Sequence, residues 1–287
     1  MNLRMLGKRL VPPILLDGLR SAREAGRARR ARRSAAAGAW RTVQGGMLDG
    51  CELRLPYGES WADKMLNGDY EAPFAAALAD AVTPGAICYD LGGHLGYYSL
   101  IMARKAGAGG AVHVFEPYPA NALRLSEHVA RNATRTGALI HVHQIAIEAQ
   151  SGVRELLGEG RADAVSTLCH LDGVRGVLVP EWQARFERFE RIPVAVSTLD
   201  GWRAQTGASP PDLVKIDVEG SELGVLLGAR ETLASARPVI VAELHNAGLA
   251  AECGALLGAM GYAVETILCD SGRECTIRAM PSSRRGG

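Results

Sequence analysis

The chain has 287 residues, of which 47% are hydrophobic and 22% are charged. These fractions are those of an ordinary globular protein, so they exclude wholesale disorder, collagen and a coiled coil. The 32 basic and 31 acidic side chains nearly cancel, which argues against a surface built to hold nucleic acid. The length allows two domains or one α/β domain with appendages.

Basic charge is concentrated at the N-terminus, in an arm that we place at residues 1–36. Its first 33 residues contain ten Arg or Lys but only two acidic residues, Asp17 and Glu24. Two roles stay open for the arm: a weak contact with an anionic membrane surface or a phosphorylated carrier, and a solubilising role only. No apolar stretch has the length of a membrane span and no secretory signal is recognisable. We therefore expect a cytoplasmic protein, at most peripheral to the inner membrane face.

Residues 37–85 are interpreted as an N-terminal helical cap, and a regular alternation of strands and helices follows it. The predicted elements are strand Ala86–Leu91, helix Leu95–Ala106, strand Ala111–Glu116, helix Pro119–Thr136, strand Leu139–Ile147, strand Leu213–Val218, helix Ser221–Ala236, strand Val239–Leu244, helix Leu249–Met260 and strand Tyr262–Leu268. This alternation predicts parallel strands with right-handed crossovers, hence a doubly wound α/β domain at residues 86–280.

Two further features complete this outline. Residues 148–211 form an insertion, longer than a crossover requires, with a predicted helix at Glu181–Glu190 and a strand-like run at residues 192–196. The aromatic residues of that helix either dock the insertion on the core or cover a substrate. A last strand, Glu274–Ala279, follows the turn Asp270-Ser271-Gly272 as an antiparallel hairpin, and residues 281–287 form a tail.

The six cysteines are scattered along the chain. They show neither a Cys-x-x-Cys pair nor histidines at zinc-finger spacing. We therefore expect reduced thiols, and no metal site follows from their spacing.

The strongest local motif is the run Asp90-Leu91-Gly92-Gly93-His94-Leu95-Gly96, between a predicted strand and a helix. Glycines at the carboxyl edge of a parallel sheet let a ligand approach the backbone closely. A dinucleotide fingerprint starting at Gly92 would need two further glycines, where the chain has His94 and Tyr97. Glu116 ends the next strand, where an acidic side chain accepts hydrogen bonds from a ribose.

These features favour S-adenosylmethionine as the cofactor, since it has a ribose but no pyrophosphate to be held. The residues assigned to cofactor binding are Asp90, Gly92, Gly93, His94, Gly96 and Glu116.

The second half of the chain resembles the signature of FkbM-type methyltransferases. The residues that carry the resemblance are Asp212-Leu213-Val214-Lys215-Ile216-Asp217-Val218-Glu219-Gly220-Ser221-Glu222, Thr198-Leu199-Asp200 before it, and Gly228-Ala229, Pro238 and Glu243-Leu244-His245 after it. The resemblance extends from about Ala86 to His245. It implies a class I S-adenosylmethionine fold with a seven-stranded sheet and O-methylation of sugars or secondary metabolites.

Two positions depart from that family's pattern. The glycine motif has His94 where Asn is common in the family, so a contact from the Asn side chain must be replaced or lost. After the third strand, Ile147-Glu148 stands where Ser-Asp is common, which puts the adenine-side contact in question.

Asp217, Glu219, Glu243 and His245 are the candidate catalytic residues. Asp217 and Glu219 alternate with Lys215, so all three point to one side if the strand continues. A carboxylate there would balance the sulfonium charge, and a hydroxyl acceptor needs a group to take its proton. His245 is either this base or a hydrogen-bonded scaffold residue, and Lys215 is expected in a structural ion pair. Asp217 and Glu243 alone do not establish a metal site, so no metal is assigned.

The sequence therefore predicts an S-adenosylmethionine-dependent O-methyltransferase of glycan or natural-product biosynthesis in a bacterium. Its acceptor would be a hydroxyl of a sugar or glycosylated metabolite, a small molecule or a glycan, and not nucleic acid. Two alternatives stay open: N-methylation of an amino sugar or small amine, and a non-catalytic S-adenosylmethionine-binding module in a glycan-assembly complex.

Overall fold

The structure is a computed structural model that describes residues 38–158, 166–168, 190–269 and 274–282. The basic arm, the predicted helix at Glu181–Glu190 except its last residue, and the predicted turn at residues 270–272 lie outside these ranges. Within the described ranges, none of the helices is both long enough and apolar enough to span a bilayer.

The segment that precedes the α/β domain combines a small antiparallel sheet with helices. Its elements are β1 (Trp40–Thr42), β2 (Glu52–Arg54), α1 (Ser60–Asn67) and α2 (Ala72–Ala81). The expected helical cap is thus only partly helical. Between the two strands the chain forms only a short 3-10 helix, Gly46–Leu48, and Gly46 and Gly50 adopt positive φ angles of 63° and 78° where the chain reverses.

The remaining elements alternate between strands and helices. Up to the insertion they are β3 (Ile87–Leu91), α3 (Tyr97–Ala106), β4 (Ala111–Phe115), α4 (Pro119–Thr136) and β5 (Leu139–His143). The next elements are β6 (Ala146–Ile147), β7 (Gly152–Gly158), β8 (Ser166–Leu168), β9 (Glu190–Ser197) and α5 (Leu199–Thr206). The last are β10 (Leu213–Ile216), α6 (Glu222–Leu227), α7 (Arg230–Ala236), β11 (Val239–Leu244), α8 (Ala247–Ala259), β12 (Tyr262–Cys269) and β13 (Cys275–Pro281).

The central sheet has seven strands in the order β12-β13-β11-β10-β3-β4-β5. The neighbouring strands from β11 to β5 pair in parallel, and β13 is antiparallel to both β11 and β12. The expected doubly wound, mostly parallel sheet with an antiparallel C-terminal hairpin is confirmed. The carboxyl ends of β3, β4, β10 and β11 therefore lie at one edge, where ligands of open α/β sheets bind.

Two predicted elements are divided in the structure. The strand expected at Leu139–Ile147 is β5 plus β6, and β6 leaves the central sheet to pair with β9 in a second sheet of order β6-β9-β7-β8. The helix expected at Ser221–Ala236 breaks at Gly228, where a Cβ atom would lie 2.1 Å from the backbone oxygen of Glu148. The backbone at the start of the insertion therefore packs against this break, and a side chain larger than that of glycine would not fit at position 228.

Two buried polar side chains of α4 attach the N-terminal segment to the domain. Nε2 of His128 accepts a hydrogen bond from the N–H of Arg54 at 2.9 Å, and Oδ1 of Asn132 accepts one from the N–H of Glu52 at 2.8 Å. Burial lowers the pKa of His128 to about 4, so its neutral ring can accept at Nε2. These bonds satisfy backbone groups of β2 and hold the segment beside the domain.

The cysteine chemistry differs in part from the expectation. Cys51, Cys88 and Cys253 are buried free thiols, whereas Cys269 and Cys275 form a disulfide between the ends of β12 and β13. The expectation of reduced thiols is wrong for this pair. The hairpin register places the two residues opposite each other, which scattered spacing in the sequence did not reveal.

Lys215 is a buried ammonium group in the middle of the central sheet, with 1% of its side chain exposed. Its Nζ lies 3.1 Å from Oδ1 of Asp90 on β3 and 3.3 Å from Oδ2 of Asp217 after β10. It also donates a 2.6 Å hydrogen bond to the backbone oxygen of Gly92. The expected structural ion pair is present, and it joins the ends of the two central strands.

Removing this ammonium group should destabilise the fold. Lys215→Ala leaves the buried Asp90 carboxylate without its partner, and we expect the free energy of unfolding to fall by about 3–5 kcal/mol. Lys105→Ala makes the same change at an exposed position of α3 and should alter the free energy of unfolding by less than about 0.5 kcal/mol. Urea unfolding followed by circular dichroism measures both, and equal losses in the two variants would contradict the structural role of Lys215.

Candidate active site

Three glycines of the loop after β3 are fixed by their surroundings. Gly92 has a φ of 85°, and a Cβ atom there would lie 1.7 Å from the backbone oxygen of Asp217. A Cβ atom on Gly93 would lie 2.2 Å from Cγ1 of Val114. Gly96 has a φ of 86° immediately before α3. Larger residues would force this loop away from the strand ends, so the glycines set its path.

Glu116 ties this glycine loop to the end of β4. One of its carboxylate oxygens accepts a hydrogen bond from the N–H of His94 at 2.8 Å, and the other accepts one from the N–H of Tyr118 at 2.9 Å. The side chain is buried, and burial raises the pKa of Glu116 to about 7 although both hydrogen bonds lower it. Glu116 also lines the cleft beside the loop, as a ribose-binding residue must.

Asp90 lies beneath the glycine loop. Its side chain is completely buried, with Oδ2 accepting a 2.5 Å hydrogen bond from Oγ of Ser99 and Oδ1 facing Lys215. Burial raises the pKa of Asp90, opposed by the charge of Lys215. In this structure Asp90 supports the loop and does not line the cleft.

The cleft lies between the glycine loop, the end of β10 and the insertion. Its cavity volume is about 130 Å³, and it is open to solvent. Phe115, Ile147 and Leu156 give it an apolar wall. Ile147 and Glu148 are the two residues that depart from the family pattern after the third strand. The carboxylate of Glu148 does not line the cleft but packs against Gly224 of α6. Ile147 therefore replaces a polar contact on this side by an apolar one.

Three carboxylates reach the cleft, from Glu116, Asp217 and Glu219. Among the described residues that line it, none is Lys or Arg. The three carboxylates would repel the negative charge of a diphosphate, so the lining disfavours a dinucleotide. A ligand that carries positive charge and a ribose fits the lining better.

Asp217 and Glu219 meet His245 at the sheet edge. Nε2 of His245 lies 3.4 Å from Oε2 of Glu219 and 3.8 Å from Oδ1 of Asp217. The predicted strand alternation does not produce this arrangement, because β10 ends at Ile216 and Glu219 has a φ of 54°. A turn after the strand brings the predicted residues together.

Glu222 is a site residue that the sequence analysis did not assign. Its buried carboxylate lies 2.7 Å from Nδ1 of His245 and accepts a 2.9 Å hydrogen bond from the N–H of Gly220. The family motif contains Glu222, but its partner is 23 residues away in the sequence. Strand and helix periodicity cannot show such a pairing.

The electrostatics of this cluster favour a positive charge on His245. Burial opposes that charge, but the hydrogen bond to Glu222 and the charges of Glu219 and Asp217 outweigh it and raise the pKa of His245 to about 10. Burial and neighbouring carboxylates raise the pKa of Glu219 to about 7 and that of Glu243 to about 8. For Asp217, the nearby Lys215 outweighs burial and lowers the pKa.

Glu243 differs from the other three candidates in its contacts. It lies near the end of β11 and is partly buried. Within the part of the chain that the structure describes, its carboxylate makes no hydrogen bond and no ion pair closer than 4 Å. Glu243 is not among the residues that line the cleft, and it lies close enough to Asp217 and His245 for their charges to act on it.

A second cavity adjoins the cleft on the side of the N-terminal segment. It has a cavity volume of about 600 Å³ and shares Tyr70 and His94 with the first. Trp61 of α1 lines it, with its ring centroid 6.1 Å from that of His94, and Glu71 lies on the turn before α2. No residue of this segment could be predicted as a site residue from the sequence, because an isolated Trp or Tyr in a short helix carries no motif.

The strand order, the glycine loop after β3 and the acidic residue after β4 together define a class I methyltransferase. The chain belongs to the FkbM methyltransferase family. The sequence-family model of the methyltransferase FkbM domain matches residues 90–272, which are more than half of this chain.

Three relatives illustrate these similarities. The 31-O-demethyl-FK506 methyltransferase FkbM of Streptomyces tacrolimicus is 29% identical over 197 residues, which are 63% of this chain and 74% of that protein. The solved structure of methyltransferase FkbM from Methylobacillus flagellatus is 14% identical, with a TM-score of 0.44, and the match covers 78% of this chain and 62% of that one. An S-adenosylmethionine-dependent O-methyltransferase from Thermotoga maritima is 11% identical, with a TM-score of 0.46 and coverage of 80% and 74%.

Membership in a methyltransferase family implies S-adenosylmethionine as the methyl donor, and the cleft fits that molecule. The apolar wall that includes Phe115 and Ile147 suits adenine, Glu116 suits the ribose hydroxyls, and Asp217 supplies negative charge for the sulfonium group. His94 contributes its backbone to the loop through Glu116, in place of the Asn side chain that is common in the family.

Loss of the Glu116 carboxylate should weaken cofactor binding. We expect Glu116→Ala to reduce the affinity for S-adenosylhomocysteine by about 1–3 kcal/mol, because ribose hydrogen bonds are lost. Glu252→Ala, which removes an exposed carboxylate of α8, is the control and should bind normally. Titration calorimetry on variants shown to be folded by circular dichroism measures this difference. Unchanged affinity in Glu116→Ala, or tight binding of NAD with no response to S-adenosylhomocysteine, would contradict the assignment.

Proposed function

We propose that the protein transfers the methyl group of S-adenosylmethionine to a hydroxyl of a sugar or glycosylated metabolite. The observation that carries this proposal is an acidic cleft without Lys or Arg in its described lining, joined to a second cavity through Tyr70 and His94. The first cavity suits the methyl donor, and the second is large enough for an acceptor.

Transfer to oxygen is supported by the Streptomyces tacrolimicus relative, whose name describes methylation at the 31-O position of an FK506 precursor. Sugars and secondary metabolites are the acceptors that the family resemblance implies. The second cavity is lined by Trp61 and Tyr70 together with the carboxylates of Asp69 and Glu71. Aromatic rings can cover the apolar face of a sugar ring, and carboxylates accept hydrogen bonds from its hydroxyls.

The reaction requires an acceptor oxygen, a methyl donor in line with it and a group that removes a proton. S-adenosylmethionine supplies an electrophilic methyl group on its sulfonium. The new carbon–oxygen bond forms as the carbon–sulfur bond breaks, and the hydroxyl proton must leave the acceptor oxygen. A neutral hydroxyl is a poor nucleophile, so positioning and proton removal are the tasks of the chain.

Glu243 is the residue that takes this proton. Its carboxylate has no hydrogen-bond partner in the described residues. Burial near other acids raises its pKa to about 8, so it accepts a proton only in the chains where it is ionised, and that fraction grows as the pH rises through about 8. His245 is less suited, because its protonated ring has no free lone pair at neutral pH. We assign to His245 the role of a positioning residue that holds Asp217 and Glu219 at the edge of the cleft.

Asp217 acts through its charge. It is held by Lys215 at 3.3 Å and lines the cleft, so it stays ionised close to the donor. A fixed carboxylate there stabilises the sulfonium form of the cofactor and loses this interaction once the methyl group has left.

The base assignment predicts a specific kinetic defect. Glu243→Gln should lower kcat by roughly 10²–10⁴-fold because general-base catalysis is lost, with S-adenosylhomocysteine affinity unchanged. The assay follows transfer of labelled methyl groups from S-adenosylmethionine to a panel of methyl glycosides and their amino-sugar counterparts. Glu252→Gln, the same change on the exposed face of α8, should retain wild-type kcat.

Normal kcat in Glu243→Gln would remove the base role. Methylation confined to the amino sugars would replace O-transfer by N-transfer. A third outcome is that the chain folds and binds S-adenosylhomocysteine but methylates neither the acceptors of the panel nor any component of a bacterial glycan extract. That result would favour a non-catalytic module.

Loss of the negative charge of Asp217 should change the affinities for S-adenosylmethionine and S-adenosylhomocysteine by different amounts. Asp217→Asn should weaken binding of S-adenosylmethionine more than that of S-adenosylhomocysteine, which lacks the sulfonium charge, and we expect a difference of about 1 kcal/mol. Calorimetry with both ligands measures the two affinities. Equal losses would show that Asp217 has no specific interaction with the sulfonium.

A further inference from the structure

The cluster of Asp217, Glu219 and His245 has the geometry of a cation-binding site. One ligand atom from each residue can be chosen so that all three lie within 4.8 Å of one another. Nε2 of His245 is 3.4 Å from a Glu219 oxygen and 3.8 Å from an Asp217 oxygen. Two ligand atoms that each lie about 2.0–2.2 Å from one ion are separated by similar distances. The three side chains would therefore have to move little to share an ion.

Glu222 provides an independent feature of a built site. Its carboxylate is fully buried, with Oε1 next to Nδ1 of His245 and Oε2 without a hydrogen-bond partner in the described residues. A carboxylate on one ring nitrogen fixes the orientation of the imidazole and directs the other nitrogen outward. Here the outward nitrogen is Nε2, which faces the two carboxylates, and an ion bound there takes the place of the proton that His245 otherwise carries on Nε2. This pairing of a buried acid with a histidine is the usual support behind a metal ligand.

The surrounding charge also favours a cation. Asp217 already shares Lys215 with Asp90, and Glu219, Glu222 and Glu243 add three more carboxylates at the same edge of the sheet. Of the three ligand side chains, Glu219 is the most open, with 39% of its side chain exposed, so an ion can enter from solvent.

We infer that Asp217, Glu219 and His245 bind a divalent first-row transition-metal ion, with Glu222 as the residue that positions His245. One imidazole nitrogen with two carboxylate oxygens suits ions such as Mn²⁺ or Zn²⁺, and three protein ligands leave positions open for water or an acceptor hydroxyl. A hydroxyl bound there would be oriented beside the methyl donor and would lose its proton to Glu243 more readily. This last step rests on the proposed function, whereas binding of the ion does not.

The test is a titration of the chelator-treated full chain with Mn²⁺, followed by electron paramagnetic resonance of the free ion. We expect one saturable site per chain, competed by Zn²⁺. Glu219→Gln and His245→Gln should each weaken Mn²⁺ binding at least about 10-fold, and Glu222→Gln roughly 10–100-fold through loss of ligand orientation. Glu252→Gln, the matched change on the exposed face of α8, should leave the affinity unchanged.

Affinity for S-adenosylhomocysteine is measured on each variant to show that its fold is intact. The site would be overturned if wild-type protein that binds S-adenosylhomocysteine showed no saturable binding of Mn²⁺ at millimolar concentration. The same affinity for Mn²⁺ in wild type and in Glu219→Gln would also overturn it, since Glu219 is partly exposed and its replacement does not threaten folding. Failure of methyl transfer with Mn²⁺ binding intact would count against the proposed function alone.

Discussion

The buried ammonium of Lys215 is the contact on which the geometry of the site depends. It connects Asp90 on β3, Asp217 after β10 and the backbone oxygen of Gly92, and these belong to the two strands at the centre of the sheet. A buried charge is costly without partners, so the three acceptors and the ammonium fix one another. The glycine loop and the acidic turn are thereby held at a set separation, and the cleft between them keeps its width.

Negative charge is the second constraint, and it follows from the first. Lys215 compensates Asp90 and Asp217, but Glu116, Glu219, Glu222 and Glu243 also lie near this edge of the sheet. Burial raises the pKa of Glu116, Glu219 and Glu243, whereas the carboxylates raise that of His245. Such a site selects positive ligands: a sulfonium in the proposed reaction, and a divalent ion in the inferred binding site. Both needs are met by the same carboxylates, so binding of one ligand should alter the affinity for the other.

The sequence predicted the fold and those parts of the candidate site that local patterns encode. Alternating strands and helices predicted the sheet, and the spacing of Gly92 and Gly96 with Glu116 predicted the cofactor loop. It did not reveal contacts that depend on tertiary structure. The break at Gly228 follows from packing against Glu148, the Glu222–His245 pair joins two elements, and the second cavity needs α1 beside the glycine loop. Asp217 and Glu219 were predicted to meet by strand alternation, yet a turn brings them together.

The division between the two cavities indicates how one domain can serve different acceptors. The glycine loop, Glu116 and the acidic turn are built on the ends of central strands, where packing on both faces restricts change. Trp61 comes instead from the short helix α1 and Glu71 from the turn before α2. Both belong to the N-terminal segment, whose strand β2 is bonded to His128 and Asn132 of α4. If the second cavity holds the acceptor, as proposed, substitutions there would reshape it while the three acceptors of Lys215 stay in place. Tyr70 and His94 line both cavities. An acceptor that moves either side chain would therefore also change the surroundings of the methyl donor in the proposed reaction.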